Sequence, residues 1–167
     1  LQKDDLIKSI VFSLLYSFST VLLSFLLTLF PANALARSDF RGKTVLESLL
    51  LSPALIPPMT FAMGLHIFFI KIGLADSLLG FILVLTLYSY PYMLKALTSG
   101  FLMIDERYSI CALNLGAHPI RILLEIELPL LVPAIMAGST VVFLVAFSEY
   151  FLIFLIGGGA VPSFSGF

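Results

Sequence analysis

"LNLGAHPIRILLEIELP", Leu113–Pro129, carries a glycine, two prolines, a histidine, an arginine and two glutamates between two long apolar runs. The flanking runs need lipid or a deep core. The quoted stretch needs water on at least one side. Read as a break between two membrane spans, it makes the chain a polytopic helical membrane protein.

Composition agrees. Of 167 residues, 60% are hydrophobic and 11% charged, against roughly 45–50% apolar and 25% charged in a soluble domain. Mean hydropathy is +1.11. A net charge of −1 gives no electrostatic basis for binding nucleic acid. A single cysteine, Cys111, excludes an internal disulfide framework. Two distant histidines give no metal-ligand spacing. The chain lacks an initiator Met and ends in a Gly/Ser/Pro-rich stretch, so it is read as a fragment of a longer protein. Its first apolar run is too long for a signal peptide and lacks a small-residue cleavage pattern.

A helix crossing the hydrocarbon core needs about 20 mostly apolar residues. Four segments qualify, at about 9–30, 46–70, 78–103 and 130–156, within one transmembrane domain over 1–167. A polar loop, "PANALARSDFRGK", is expected after the first. The second contains Pro53 and the pair Pro57-Pro58. Each proline lacks a backbone donor, so a kink or break is expected there, tolerated only against protein or a water-lined cavity. Arg37, Arg41, Lys43, Lys95, Arg107 and Arg121 fall on one side, and Lys3, Lys8 and Lys71 on the other. The positive-inside tendency places the six, and the quoted stretch, in the cytoplasm.

The insert between the last two spans, about 105–128, reads as a helical hairpin. Asp105 and Glu106 suit the start of a short helix. Tyr108, Cys111, Ala112 and Leu115 recur at three- and four-residue spacing, giving one apolar face. Gly116 permits a turn with positive φ. Pro119 suits the first turn of a second helix, which is expected to end before Pro129. Ten residues rise only about 15 Å, half a hydrocarbon core, so this helix would not span. Arg121 and Glu125 form an i, i+4 pair on a wet face. Such a hairpin either docks in a groove on a soluble partner or merely connects two spans. These residues alone leave both open.

The spacing Gly116, nine residues, Ile126, one residue, Leu128-Pro129 resembles the signature loop of binding-protein-dependent ABC importer permeases: E-A-A, three residues, G, nine residues, I-x-L-P. Ala112 matches the second alanine, while Ile110 and Cys111 stand where Glu and the first Ala are usual. "ALARSDFRGK", "DSLLGFIL", "PYMLKAL" and "LPLLVPAIMAG" are also similar to that family, so the resemblance covers nearly all the chain. It implies an all-α transmembrane bundle of about six spans, the missing ones lying before Leu1 and after Phe167. It also implies that Ala112, Gly116, Ala117, His118, Pro119, Ile126, Leu128 and Pro129 form the loop that couples to a cytoplasmic ATPase subunit. ATP-driven closure of two ATPases would move the loop and switch the permease between inward and outward access.

The implied partners are the ATPase subunits, a second permease copy or paralogue, a periplasmic solute-binding protein and membrane lipid. The implied location is the bacterial inner membrane. The chain has no G-x-x-x-x-G-K-[ST] motif, so ATP would be bound by the partner, and neither an enzymatic activity nor a cofactor is expected of this chain. The flavour of the sequence is nearest the polyamine, thiamine, iron and phosphonate branch.

Glu149, inside the fourth apolar segment, is costly in lipid and should face a helix, a cavity or the solute path. The bland reading places it at the interface. With Ser148 and Tyr150 it is a candidate path residue, and its acidity would suit a cation such as a polyamine or thiamine. Pro57 and Pro58 are path or gate candidates, the alternative being a packing kink. Tyr88, Tyr90 and Tyr92 read as packing or interfacial, and His66 as a satisfied buried histidine. Two rival functions stand beside transport. One is a scaffold or receptor recruiting a partner through the hairpin. The other is an intramembrane enzyme using Glu149 and His66, which lacks a nucleophile–base arrangement.

Overall fold

The computed structural model describes residues 3–75, 77–149 and 152. Among them there is no strand. Helix α1 is Lys3–Arg37. Helix α2 (Lys43–Leu51) runs into a 3-10 turn (Ser52–Leu55) and then α3 (Pro58–Ile72). Helix α4 is Leu78–Met103. Two short helices, α5 (Arg107–Asn114) and α6 (Pro119–Ile122), are followed by a π turn (Leu123–Glu127) and α7 (Leu128–Ser148). Among the described residues, three helical stretches, Ile7–Arg37, Leu78–Met103 and Pro119–Ser148, are long and apolar enough to cross a membrane, and a fourth is counted if the bent α2–α3 pair is one span. This is an all-α, polytopic membrane bundle.

Helix α1 packs extensively on α4 and also on α7. Ser9, Ser13, Ser17, Thr20, Ser24 and Thr28 are all buried, at spacings that place them along one helical face. Small residues let helix backbones approach where lipid supplies no hydrophobic drive between helices. Two hydroxyls turn back to their own helix: Thr20 Oγ1 donates to the Tyr16 carbonyl at 2.8 Å, and Thr28 Oγ1 to the Ser24 carbonyl at 2.6 Å. The α4–α7 contact uses the same device. A Cβ on Gly138 would lie 2.7 Å from Met93 Sδ, and one on Gly100 2.5 Å from Ala134 Cβ.

Two apolar clusters result. One joins Tyr16, Ala62, Phe69, Phe81, Val84, Leu85, Tyr88 and Ala146, with Tyr16 edge-on to Phe81 at 4.8 Å. The other, at the hairpin end, joins Leu29, Ala32, Leu35, Met93, Leu94, Leu97, Phe101, Leu131 and Val142. The outward ridge of α1, Phe18–Leu22–Leu26–Phe30, is exposed, as a face meant for lipid would be.

Two expectations are corrected. "PANALAR" is not loop: α1 continues through Pro31 to Arg37. Alanine and leucine are strong helix formers, and Ala32 and Leu35 are buried in the hairpin-end cluster, so packing carries the helix past the end of the apolar run. Nor does a short second helix stop before Pro129. Residues 119–148 form one 30-residue helical stretch. In the π turn the Leu128 N–H reaches back to the Leu123 carbonyl, a five-residue step. A proline ring clashes with the carbonyl four residues earlier, and the widened turn makes room for it.

The expected break in the second segment is present. Ile56 and Pro57 are both extended, with ψ 130 and 138, as a residue before proline tends to be. The axes before and after differ by 98°.

Candidate functional site

The hairpin is built by caps at each turn. At its start, Asp105 Oδ1 accepts from the Arg107 N–H at 2.9 Å. Past the end of α5 the chain turns at Gly116, φ 83. The Ala117 N–H reaches the Ala112 carbonyl at 3.0 Å and the Gly116 N–H the Leu113 carbonyl at 2.9 Å, the paired bonds of a Schellman ending. His118 Nδ1 then accepts from the Ile120 N–H at 3.3 Å, and Pro119 opens α6. Arg121 Nε donates to both Glu125 carboxylate oxygens at 2.9 Å on the exposed face.

The apolar face read from Tyr108, Cys111, Ala112 and Leu115 points outward. Tyr108 is 59% exposed and Leu115 88%. Cys111 is exposed and Ala112 half-buried. Leu113 and Ile120 are exposed as well. Of the sequence-predicted coupling residues, Gly116, His118 and Pro119 are exposed at the tip and Ala117 is half-buried there. Ile126 and Leu128 are half-buried, and Leu128 packs against the hairpin-end cluster. Pro129 is exposed at the start of α7. The signature thus divides into a presented tip and a seated root.

The root holds a cluster that sequence reasoning missed. Arg37 Nη1, from the end of α1, pairs with Glu127 Oε1, from the π turn. Ser109 Oγ, from α5, donates to the same oxygen at 2.9 Å. The Arg37 guanidinium lies 5.5 Å from the Phe101 ring centroid on α4, a cation–π contact. Glu127 and Ser109 are buried. A buried pair that loses one partner leaves an uncompensated charge. Arg37, Ser109 and Glu127 border a cleft of about 300 Å³, together with Phe30, Asn33 and Ile120. By sequence alone Arg37 counts only as a positive-inside charge. The available signal was Glu127 itself, a carboxylate on the membrane side of the hairpin, which requires a partner.

The predicted path residues are less gathered. Pro57 is exposed and Pro58 half-buried at the elbow between α2 and α3. There the Tyr90 hydroxyl donates to the Leu50 carbonyl at 2.6 Å, and Lys95 Nζ lies 3.7 Å from Glu47 Oε1. Ser148 is exposed, and its hydroxyl donates to the Leu144 carbonyl at 2.7 Å. Glu149 is half-buried at the end of α7, within electrostatic reach of Tyr88. Tyr88 also meets Phe61 at 5.7 Å, so the start of α3 and the end of α7 share one aromatic neighbour. Tyr150 lies outside the described residues. His66 is corrected: its Nδ1 is buried with no hydrogen-bond partner among the described residues. Among the described residues no three His, Cys, Asp or Glu side chains gather as a metal site would need.

A helical membrane bundle with a projecting, glycine-turned hairpin between its last two long helices defines a recognised class. Residues 4–164 match the family "Binding-protein-dependent transport system inner membrane component", and the chain belongs to it. The chain is 31% identical over 144 residues to the molybdate/tungstate transport system permease protein WtpB of Pyrococcus abyssi, covering 86% of this chain and 58% of that protein. It is 30% identical over 156 residues to the molybdenum transport system permease protein ModB of Escherichia coli K12 (86% and 68%). It is 26% identical over 155 residues to the spermidine/putrescine transport system permease protein PotC of Haemophilus influenzae (93% and 60%). The chain therefore spans about three fifths of the length of the Pyrococcus and Haemophilus relatives.

Proposed function

We propose that this chain serves as permease of an ATP-driven importer in the cytoplasmic membrane. The helix bundle carries the solute, and the hairpin receives movement from a separate ATPase. The observation that carries this reading is the hairpin: its apolar face is exposed while its root is buried in the bundle. An exposed apolar face on a short helix that turns at Gly116 into the start of the last long helix fits a groove in a soluble partner. A second permease chain would complete the path, and a solute-binding protein would deliver cargo on the opposite side.

For the solute, the names of the relatives support a group 6 oxyanion, molybdate or tungstate, as the first reading. A polyamine is the second, favoured by Glu149 and by the spermidine/putrescine relative. The test uses full-length protein, purified with its ATPase and binding protein and placed in vesicles. ATP-dependent uptake of labelled molybdate, suppressed by tungstate and indifferent to spermidine, is the expected result. Spermidine uptake instead would establish the second reading. Wild type that binds no ATPase would remove the importer reading and leave the scaffold.

A further inference from the structure

The hairpin is tied to the three long helices in different ways. It is continuous with α7, because 119–148 is one helical stretch. It is joined to α4 by only three residues, Ile104 to Glu106. Its backbone contact with α1 is sparse. What reaches the end of α1 from the hairpin directly is the Arg37–Glu127 ion pair and the Ser109 hydroxyl, which lies 3.5 Å from Arg37 Nη1 and donates to Glu127. Arg37 occupies the last turn of α1, and α1 is the helix most extensively packed on α4.

We propose that Arg37, Ser109 and Glu127 form the joint that makes α1 move as one body with the hairpin. This rests on the function proposed above and adds a part to it. The tip meets the ATPase, while this buried cluster ties the end of α1 directly to the hairpin, in addition to the packing of α1 on α7. The chemistry suits a joint. Glu127 accepts from two donors on two different helices, so α1 and α5 are pinned to one carboxylate. Separation would strand a buried charge. Phe101 covers the guanidinium from α4, which further limits where Arg37 can swing. These are positioning residues and need not touch the solute.

The test measures the distance between spin labels at Leu26→Cys on α1 and Leu124→Cys in the π turn, both exposed positions. It uses full-length protein with Cys111→Ala, which keeps the docking face apolar, bound to its ATPase. The distance is recorded without nucleotide and with ATP trapped by vanadate. With the joint intact, one narrow distance should persist in both states, shifting by less than about 2 Å, the scale of small helix movements at interfaces. In Glu127→Gln and Arg37→Gln the distribution should broaden without nucleotide and shift beyond that limit with ATP, while the ATPase stays bound. If either variant fails to fold, Ser109→Ala should give the same change in weaker form. Equal distributions in wild type and variants, or a large ATP-driven shift in wild type, would overturn the joint. Absence of ATPase from the wild-type preparation would instead count against the importer reading, and the nucleotide-free widths would still decide the joint.

Discussion

Pro129 and the pair Pro57-Pro58 both interrupt segments that pattern as helix, yet one helical stretch runs on through Pro129 while the axis turns by 98° at the pair. One proline removes one donor, and a single widened turn accommodates its ring. Two consecutive prolines remove two donors and force the preceding residues into extended backbone, which ends the helix. The two places are also held differently. The hairpin root is fixed by a buried ion pair with a hydroxyl and an aromatic ring. At the broken segment Tyr90 donates a neutral hydrogen bond to the Leu50 carbonyl, beside a more exposed Lys95–Glu47 pair. The first is suited to transmit displacement without yielding, and the second can yield at small cost.

That contrast can be broken by substitution. The largest effect is expected from Glu127→Ala, which strands Arg37: a loss of about 3–5 kcal/mol, read as thermal unfolding of the detergent-purified full-length protein. Gly138→Val should cost about 1–3 kcal/mol by overpacking against Met93 and Ala96, in the same assay, and should loosen the helix pair to which the hairpin is rooted. Gly116→Val has open space around its side chain but a positive φ, worth about 1–2 kcal/mol of strain. It should leave membrane insertion intact while lowering uptake per ATP hydrolysed in vesicles, and Gly116→Asn should be milder. The smallest effect is expected from Tyr90→Phe, about 0.6 kcal/mol. A loss at Tyr90 equal to that at Glu127 would erase the distinction between the two places. Glu149→Gln sharpens the path assignment separately: uptake should fall while expression holds, and unchanged uptake would make Glu149 a bystander.

The hairpin was legible because its instructions are local. Gly116, Pro119 and the Arg121–Glu125 pair act over one or two turns, so spacing alone specifies them. The break at Pro57-Pro58 was legible for the same reason. The end of α1 was not, because hydropathy reports where lipid contact stops and not where a helix stops. Ala32 and Leu35 continue the helix by packing on other segments. The root cluster was hidden for a deeper reason. Arg37 and Glu127 stand 90 positions apart, and no periodicity links residues brought together only by tertiary packing. Leu128 was read with the coupling tip because the signature spacing includes it, although its side chain serves the core.

Docking of an ATPase on the exposed hairpin tip can be read by purifying the full-length protein from its native membrane and measuring ATPase co-purification for wild type and Leu115→Asp. Wild type should carry an ATPase in stoichiometric amount, and Leu115→Asp should lose it at unchanged expression and unchanged thermal stability. A wild-type protein without ATPase, or a Leu115→Asp protein that retains it fully, would contradict the account.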